Sequence, residues 1–107
     1  MARPGRLSRH DHRTLRGSGS RATSGPVTAQ RFPLDGPPAL GFAIGLAAGG
    51  AVERNRIRRR LEAAARTIAW QGPMIVSARP AAATLGFEQL TSHLSAAADA
   101  AGRKAAK

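Results

Sequence analysis

Cysteine and tyrosine are absent from this sequence, only six residues are acidic, and the aromatics are Phe32, Phe42, Trp70 and Phe87. Without cysteine there is no disulfide framework, no thiolate zinc site and no cysteine nucleophile. The few acids are scattered, so no carboxylate pair is set up for acid–base catalysis. Serine, histidine and aspartate occur, but in no nucleophile motif. The glycine-rich stretch 41–50 misses the G-x-G-x-x-G spacing, and no Walker Lys-Ser/Thr follows it. His10-Asp11-His12 resembles a metal cluster, yet on a helix the two imidazoles point about 200° apart and cannot share an ion. The longest uncharged stretch, 36–52, carries two prolines and five glycines and is no transmembrane helix. No apolar run near the start marks a secretory signal. The chain is therefore expected to hold no metal, no membrane span and no self-contained active site.

What the sequence does have is positive charge. Its 107 residues, enough for one small domain, include 17 Lys and Arg, giving a formal net charge of +11. All but Lys104 and Lys107 of these are arginine. Arginine grips phosphate with a two-pronged fork and stacks on bases, where lysine acts as a point charge. Such a charge points to a polyanionic partner: RNA, DNA or an anionic membrane. The Arg-rich, acid-poor beginning also fits the composition of a mitochondrial transit peptide.

The pattern divides the chain into a disordered basic segment over 1–6, one domain over 7–101 and a basic tail over 102–107. A short helix over 8–16, capped by Ser8 with Asp11 in its first turn, ends at Gly17-Ser18-Gly19-Ser20. Residues 26–32 read as a strand and 33–38 as a rigid turn. In the next strand Leu40, Phe42, Ile44 and Leu46 alternate with glycine and alanine, so the large face lies on the core. A helix over 51–69 follows, with Ile57, Leu61, Ala64, Ala65 and Ile68 within one arc at about 100° per residue. Residues 74–78 form an apolar strand and 81–85 a linker. Phe87, Leu90, Leu94, Ala97, Ala98 and Ala101 then repeat at helical spacing, with Gly86 as N-cap and His93 on the surface. The outline is α+β, in the order helix, strands, helix, strand, helix.

The central helix carries the strongest functional signal. Arg54, Arg56, Arg58, Arg59 and Arg60 crowd five like charges into seven residues, and Arg54/Arg58 and Arg56/Arg60 repel at i,i+4. A polyanion would relieve that repulsion. Asn55 within the run suits a base edge or a sugar hydroxyl, or braces the backbone. The residues alone leave open a structural RNA-binding protein, such as a small ribosomal protein, and a DNA-binding module. No second helix stands a short turn before this one, as a helix-turn-helix requires.

These residues carry a family resemblance. Gly41-Phe42-Ala43-Ile44, then Gly50-Ala51-Val52-Glu53-Arg54-Asn55-Arg56-Ile57-Arg58-Arg59-Arg60-Leu61, then Ala64-Ala65-Arg66, resemble the protein subunit of bacterial ribonuclease P. Ile75 to Pro80 resemble that family's apolar strand ending in Ala-Arg, and Phe87-Glu88 with Leu90 the start of its last helix. The similarity extends over roughly 6–100.

The resemblance implies a single α+β domain with a single-layer sheet of about four strands and three helices. The Arg-rich helix would lie in a left-handed crossover, and residues 20–30 would split into two strands. It implies an endoribonuclease component that assists removal of the 5′ leader from precursor tRNA. A catalytic RNA would perform the phosphodiester hydrolysis with Mg²⁺ bound mainly by the RNA. The implied partners are that RNA and precursor tRNA, in the cytoplasm, with no membrane and no further protein required. Arg54, Asn55, Arg56, Arg58, Arg59, Arg60 and Arg66 would bind RNA. Arg9, His12, Arg13, Arg16, Phe32, Phe42 and Arg79 would line a leader cleft. The family usually has aromatics where His12 and Arg16 stand, so leader binding here would lean on arginine rather than on stacking.

Overall fold

The computed structural model describes residues 5–6, 19–34, 36–45 and 49–105. The helix expected over 8–16 lies outside them. The polar segment β2 (Ser20–Ser24) pairs antiparallel with β3 (Val27–Arg31) through a Gly25-Pro26 connection. Gly25 adopts φ +57°, and a Cβ there would lie 2.7 Å from the His93 ring. Only glycine meets both demands. The strand read over 26–32 is β3, and β2 joins it as a partner the residue pattern did not announce, because Ser-Arg-Ala-Thr-Ser has little strand propensity and is ordered by its pairing. The division of residues 20–30 into two strands agrees with the resemblance.

β4 (Ala39–Phe42) runs parallel to β5 (Pro73–Ala78), and β3 lies antiparallel on the other side of β5. A two-residue strand, β1 (Gly5–Arg6), completes the order β1-β4-β5-β3-β2. Gly5 and Arg6 were expected in a disordered terminus. The edge of β4 orders them instead, and the Gly5 N–H donates to the Pro38 carbonyl at 2.9 Å. β4 is shorter than the strand expected to run past Leu46. Its apolar face is as expected over the described part: Leu40 is buried, and Phe42 and Ile44 pack on the core.

Parallel neighbours need a crossover. Between β4 and β5 it is the helix α1 (Ala51–Ala65). After β5 a 3₁₀ turn (Pro80–Ala83) occupies the expected linker and leads to α2 (Phe87–Ala105). The described residues thus hold two α-helices of the three expected. α1 stops short of Ala69 because Thr67 turns back: its N–H and its hydroxyl both donate to the Ala64 carbonyl, at 3.1 and 2.7 Å. α2 continues through Gly102 into the stretch expected as a tail. The Arg31 guanidinium crosses the helix at Gly102, 3.0 Å from where a Cβ would stand. Lys104 Nζ donates to the Arg21 carbonyl at 3.0 Å and fastens the last turn to β2.

Both helices cover one face of the sheet. Val27, Ala29, Leu40, Met74 and Val76 from the strands meet Ile57, Leu61, Ala64 and Ala65 of α1 and Leu90, Leu94, Ala97, Ala98 and Ala101 of α2. The alternation that turns these strand residues inward turns Arg21, Thr23, Thr28, Gln30, Ile75, Ser77 and Gly41 to the opposite face. On that face the Thr23 and Thr28 hydroxyls are hydrogen-bonded at 2.8 Å.

Candidate nucleic-acid interface

The arginine helix starts where glycine allows the chain to turn. Gly49 has φ +124°, and Gly50 caps the helix in an extended conformation. Glu53 lies in the first turn, where the exposed N–H groups favour an acid. Ile57, Leu61, Ala64 and Ala65 are buried as the periodicity predicts, and Ile68, just past the helix, is partly buried. Opposite them Asn55, Arg56, Arg58, Arg59 and Arg66 are exposed and form a ridge. Arg58 donates through Nη2 to Asn55 Oδ1 at 2.8 Å. Asn55 therefore steadies one arginine and keeps its amide N–H groups to offer. Arg56 and Arg59 have no hydrogen-bond or ion-pair partner among the described residues. These two can contact phosphates without first breaking internal bonds.

Arg60 departs from the ridge. Its guanidinium turns inward, donating through Nη1 to the Ala82 carbonyl at 2.7 Å and through Nη2 to the Leu85 carbonyl. The sequence groups Arg60 with the RNA-facing arginines; in the structure both terminal nitrogens of its guanidinium donate to the protein. Arg54, half-buried, bends toward the start of the helix with Nε 3.4 Å from the Gly50 carbonyl.

Between the helix and the sheet a groove of about 250 Å³ is lined by Phe42, Ile44, Ala51, Arg54, Asn55 and Arg58. It combines an apolar floor with cationic and amide walls, a surface suited to the flat face and polar edge of a base. Of the expected leader contacts, Phe42 belongs to this groove. Phe32 does not: it is 4% exposed, and its ring lies 2.5 Å from where a Gly19 Cβ would be. Arg79 is exposed at the end of β5, its N–H donating to the Pro26 carbonyl at 2.9 Å. The three are not brought together, because Phe42 is on the helix-covered face and Phe32 and Arg79 are at opposite ends of the sheet. Arg9, His12, Arg13 and Arg16 lie outside the described residues.

Two other polar residues have structural roles that the sequence did not reveal. Arg31 reaches through to α2, donating to the Ala98 carbonyl at 3.2 Å and the Gln71 carbonyl at 3.1 Å. Burial pushes its pKa below the ordinary arginine value, and Asp99 partly opposes this. His93, expected at the surface, is half-buried, with Nδ1 hydrogen-bonded to Ser24 Oγ at 2.9 Å beside the β2–β3 turn. Among the described residues no group of three or more acids and histidines could hold a metal, and no helix is long and apolar enough to cross a membrane.

Comparison with known proteins bears on the family and the fold. The family model for Ribonuclease P matches residues 1–102. The ribonuclease P protein component of Kocuria rhizophila is 31% identical over 105 residues, covering 94% of this chain and 93% of that protein. The same component of Acidothermus cellulolyticus is 49% identical over 57 residues, 50% of this chain and 48% of its own length. The fold is that of the RNase P protein of Staphylococcus aureus, with a TM-score of 0.71 at 20% identity, covering 94% of this chain and 96% of that one. It is also that of the Thermotoga maritima RNase P protein, with a TM-score of 0.70 at 18% identity over 92% and 96% of the two chains.

Proposed function

Given that the chain belongs to the ribonuclease P family of bacterial protein components, we propose that its exposed arginine ridge binds the catalytic RNA and that the adjoining groove and Arg79 meet the precursor's leader. Membership carries the general role: the chain is the protein part of a ribonucleoprotein endoribonuclease that matures the 5′ end of tRNA. It implies partnership with the RNase P RNA and replaces the ribosomal and DNA-binding alternatives. The family's left-handed crossover at α1 and a cytoplasmic location are part of the same reading.

The observation that carries the residue assignments is the two-sided character of α1. Ile57, Leu61, Ala64 and Ala65 are buried in the core, while Arg56, Arg58, Arg59 and Arg66, with Asn55, stand in solvent. The buried face fixes the helix axis, so the guanidinium groups approach RNA from a rigid frame. The backbone that carries them need not be ordered on binding, and each phosphate they neutralise releases counterions. In this division of labour the hydrolytic chemistry and its Mg²⁺ belong to the RNA. The protein contributes affinity and position. Its described acids, Glu53, Glu62, Glu88 and Asp99, are dispersed.

Reconstitution tests the proposal. The protein is mixed with a bacterial ribonuclease P RNA and labelled precursor tRNA at low Mg²⁺, where the RNA alone is slow. The expected result is leader release that depends on the protein, with a larger gain for long leaders than for short ones. An equal gain for both leader lengths would remove the leader contact. Tight RNA binding without faster cleavage, repeated with the cognate RNA, would remove the assigned role.

A further inference from the structure

Arg60 is placed to do something other than bind RNA. It is half-buried on the flank of α1, and both terminal nitrogens of its guanidinium donate to backbone carbonyls of one short segment, Ala82 and Leu85. That segment's own turn bonds, from the Ala82, Thr84 and Leu85 N–H groups, end on the Arg79 and Ala81 carbonyls and leave those of Ala82 and Leu85 to other donors. The 3₁₀ turn is four residues long and has no side-chain cap, and Leu85 is the last residue before Gly86 opens α2. A 3₁₀ turn leaves its final carbonyls without internal partners. Arg60 supplies them from the neighbouring helix.

The bonds continue beyond the segment. The Ala82 N–H donates to the Arg79 carbonyl at 3.0 Å, and the Arg79 N–H donates to the Pro26 carbonyl at 2.9 Å. Arg60, Ala82, Arg79 and Pro26 thus form one hydrogen-bonded path from the arginine helix to the β2–β3 turn. Arg79 is its one exposed cationic member, at the point where β5 ends and the 3₁₀ turn begins. Each bond limits the motion of the residue it shares with the next.

We infer that Arg60 is a positioning residue, fixing Arg79 at a set place relative to the RNA-bound ridge so that scaffold binding and leader capture occur in one rigid frame. The inference rests on the leader role proposed for Arg79. Lysine could not replace Arg60 fully: a single ammonium lacks the planar fork that spans two carbonyls.

The test uses the reconstituted holoenzyme with Arg60→Ala, Arg60→Lys, Arg79→Ala and the double variant Arg60→Ala/Arg79→Ala. Two quantities are read: the salt dependence of affinity for the catalytic RNA, and KM and kcat for precursors with long and with one-nucleotide leaders. Arg60→Ala is expected to keep the parent salt slope, since no phosphate contact is lost. It should raise KM for the long-leader precursor about fivefold, as Arg79→Ala does, each by loss of one charge-assisted contact. The double variant should add little to either single change, KM should rise less for the one-nucleotide leader than for the long one, and Arg60→Lys should recover part of the loss.

A slope flattened by about one unit would make Arg60 a phosphate contact and overturn the inference. So would single effects that multiply in the double variant, or a KM rise that is the same for both leaders. If Arg79→Ala alone leaves KM for the long leader unchanged, the leader role of Arg79 fails and the inference fails with it. If Arg60→Ala does not fold, the same comparison is made with Arg60→Lys, alone and combined with Arg79→Ala, where the same non-additivity is required.

Discussion

Replacing Arg56 and Arg59 by alanine should weaken RNA binding while leaving the protein as stable as before or slightly more so. Both side chains are exposed and neither has a partner among the described residues, so their removal breaks nothing in the fold. It relieves the i,i+4 repulsion between Arg56 and Arg60 and introduces a stronger helix former, together worth a few tenths of a kcal/mol. Binding responds differently. Each phosphate contact contributes about 0.9 to the slope of log affinity against log salt on duplex, and about 0.7 on single strands. Two lost contacts therefore flatten the slope by about 1.4 to 1.8. Raising monovalent salt from about 50 to about 200 mM then narrows the gap between parent and variant by about 7- to 12-fold. The assay is a titration of labelled RNA at fixed Mg²⁺ across a salt series, with a thermal melt of each protein alone. Parallel salt lines would refute the reasoning, because they would show both arginines to be solvated in the complex. A lower melting temperature would refute the separation of the ridge from the core.

Three further substitutions probe other parts of the structure. Leu61→Ala removes a fully buried side chain from the core that α1 shares with α2 and the strands and should cost about 2–5 kcal/mol in urea unfolding; a loss below about 1 kcal/mol would place the apolar face of α1 elsewhere. Gly25→Ala forces a side chain into a φ of +57° and toward the His93 ring 2.7 Å away, and should cost about 1–3 kcal/mol; an unchanged urea midpoint would mean that the turn is not held against α2. Asn55→Ala removes a neutral hydrogen-bonding group from the ridge, so RNA affinity should fall with no change in salt slope and with stability within about 0.5 kcal/mol of the parent. Loss of stability without loss of affinity would make Asn55 only a brace for Arg58.

The sequence by itself determined the helix phase, the polyanionic partner and the family. Ile57, Leu61, Ala64 and Ala65 recur at helical spacing, and burial of that stripe leaves the arginines outside whatever the stripe packs against. Charge is legible for a similar reason, since a net +11 needs no structure to be counted. The apolar face of β4 was legible from strict alternation over Leu40, Phe42 and Ile44.

Only the tertiary structure decided which arginines remain free. Arg58, Arg59 and Arg60 are adjacent and chemically alike, yet Arg60 turns inward because the 3₁₀ turn brings the Ala82 and Leu85 carbonyls beside it. That placement depends on a connector more than twenty residues later in the chain, outside the reach of any local pattern. Phe32 and Phe42 were separated in the same way. Alternation predicts faces within a strand but not across the connection from β3 to β4, and one ring is buried beside Gly19 while the other lines the groove. β2, too polar to declare itself, is a strand because β3 offers it a ladder of backbone partners. Local periodicity reports what a segment needs to bury; long-range contacts decide which polar groups are engaged by the fold and which stay exposed.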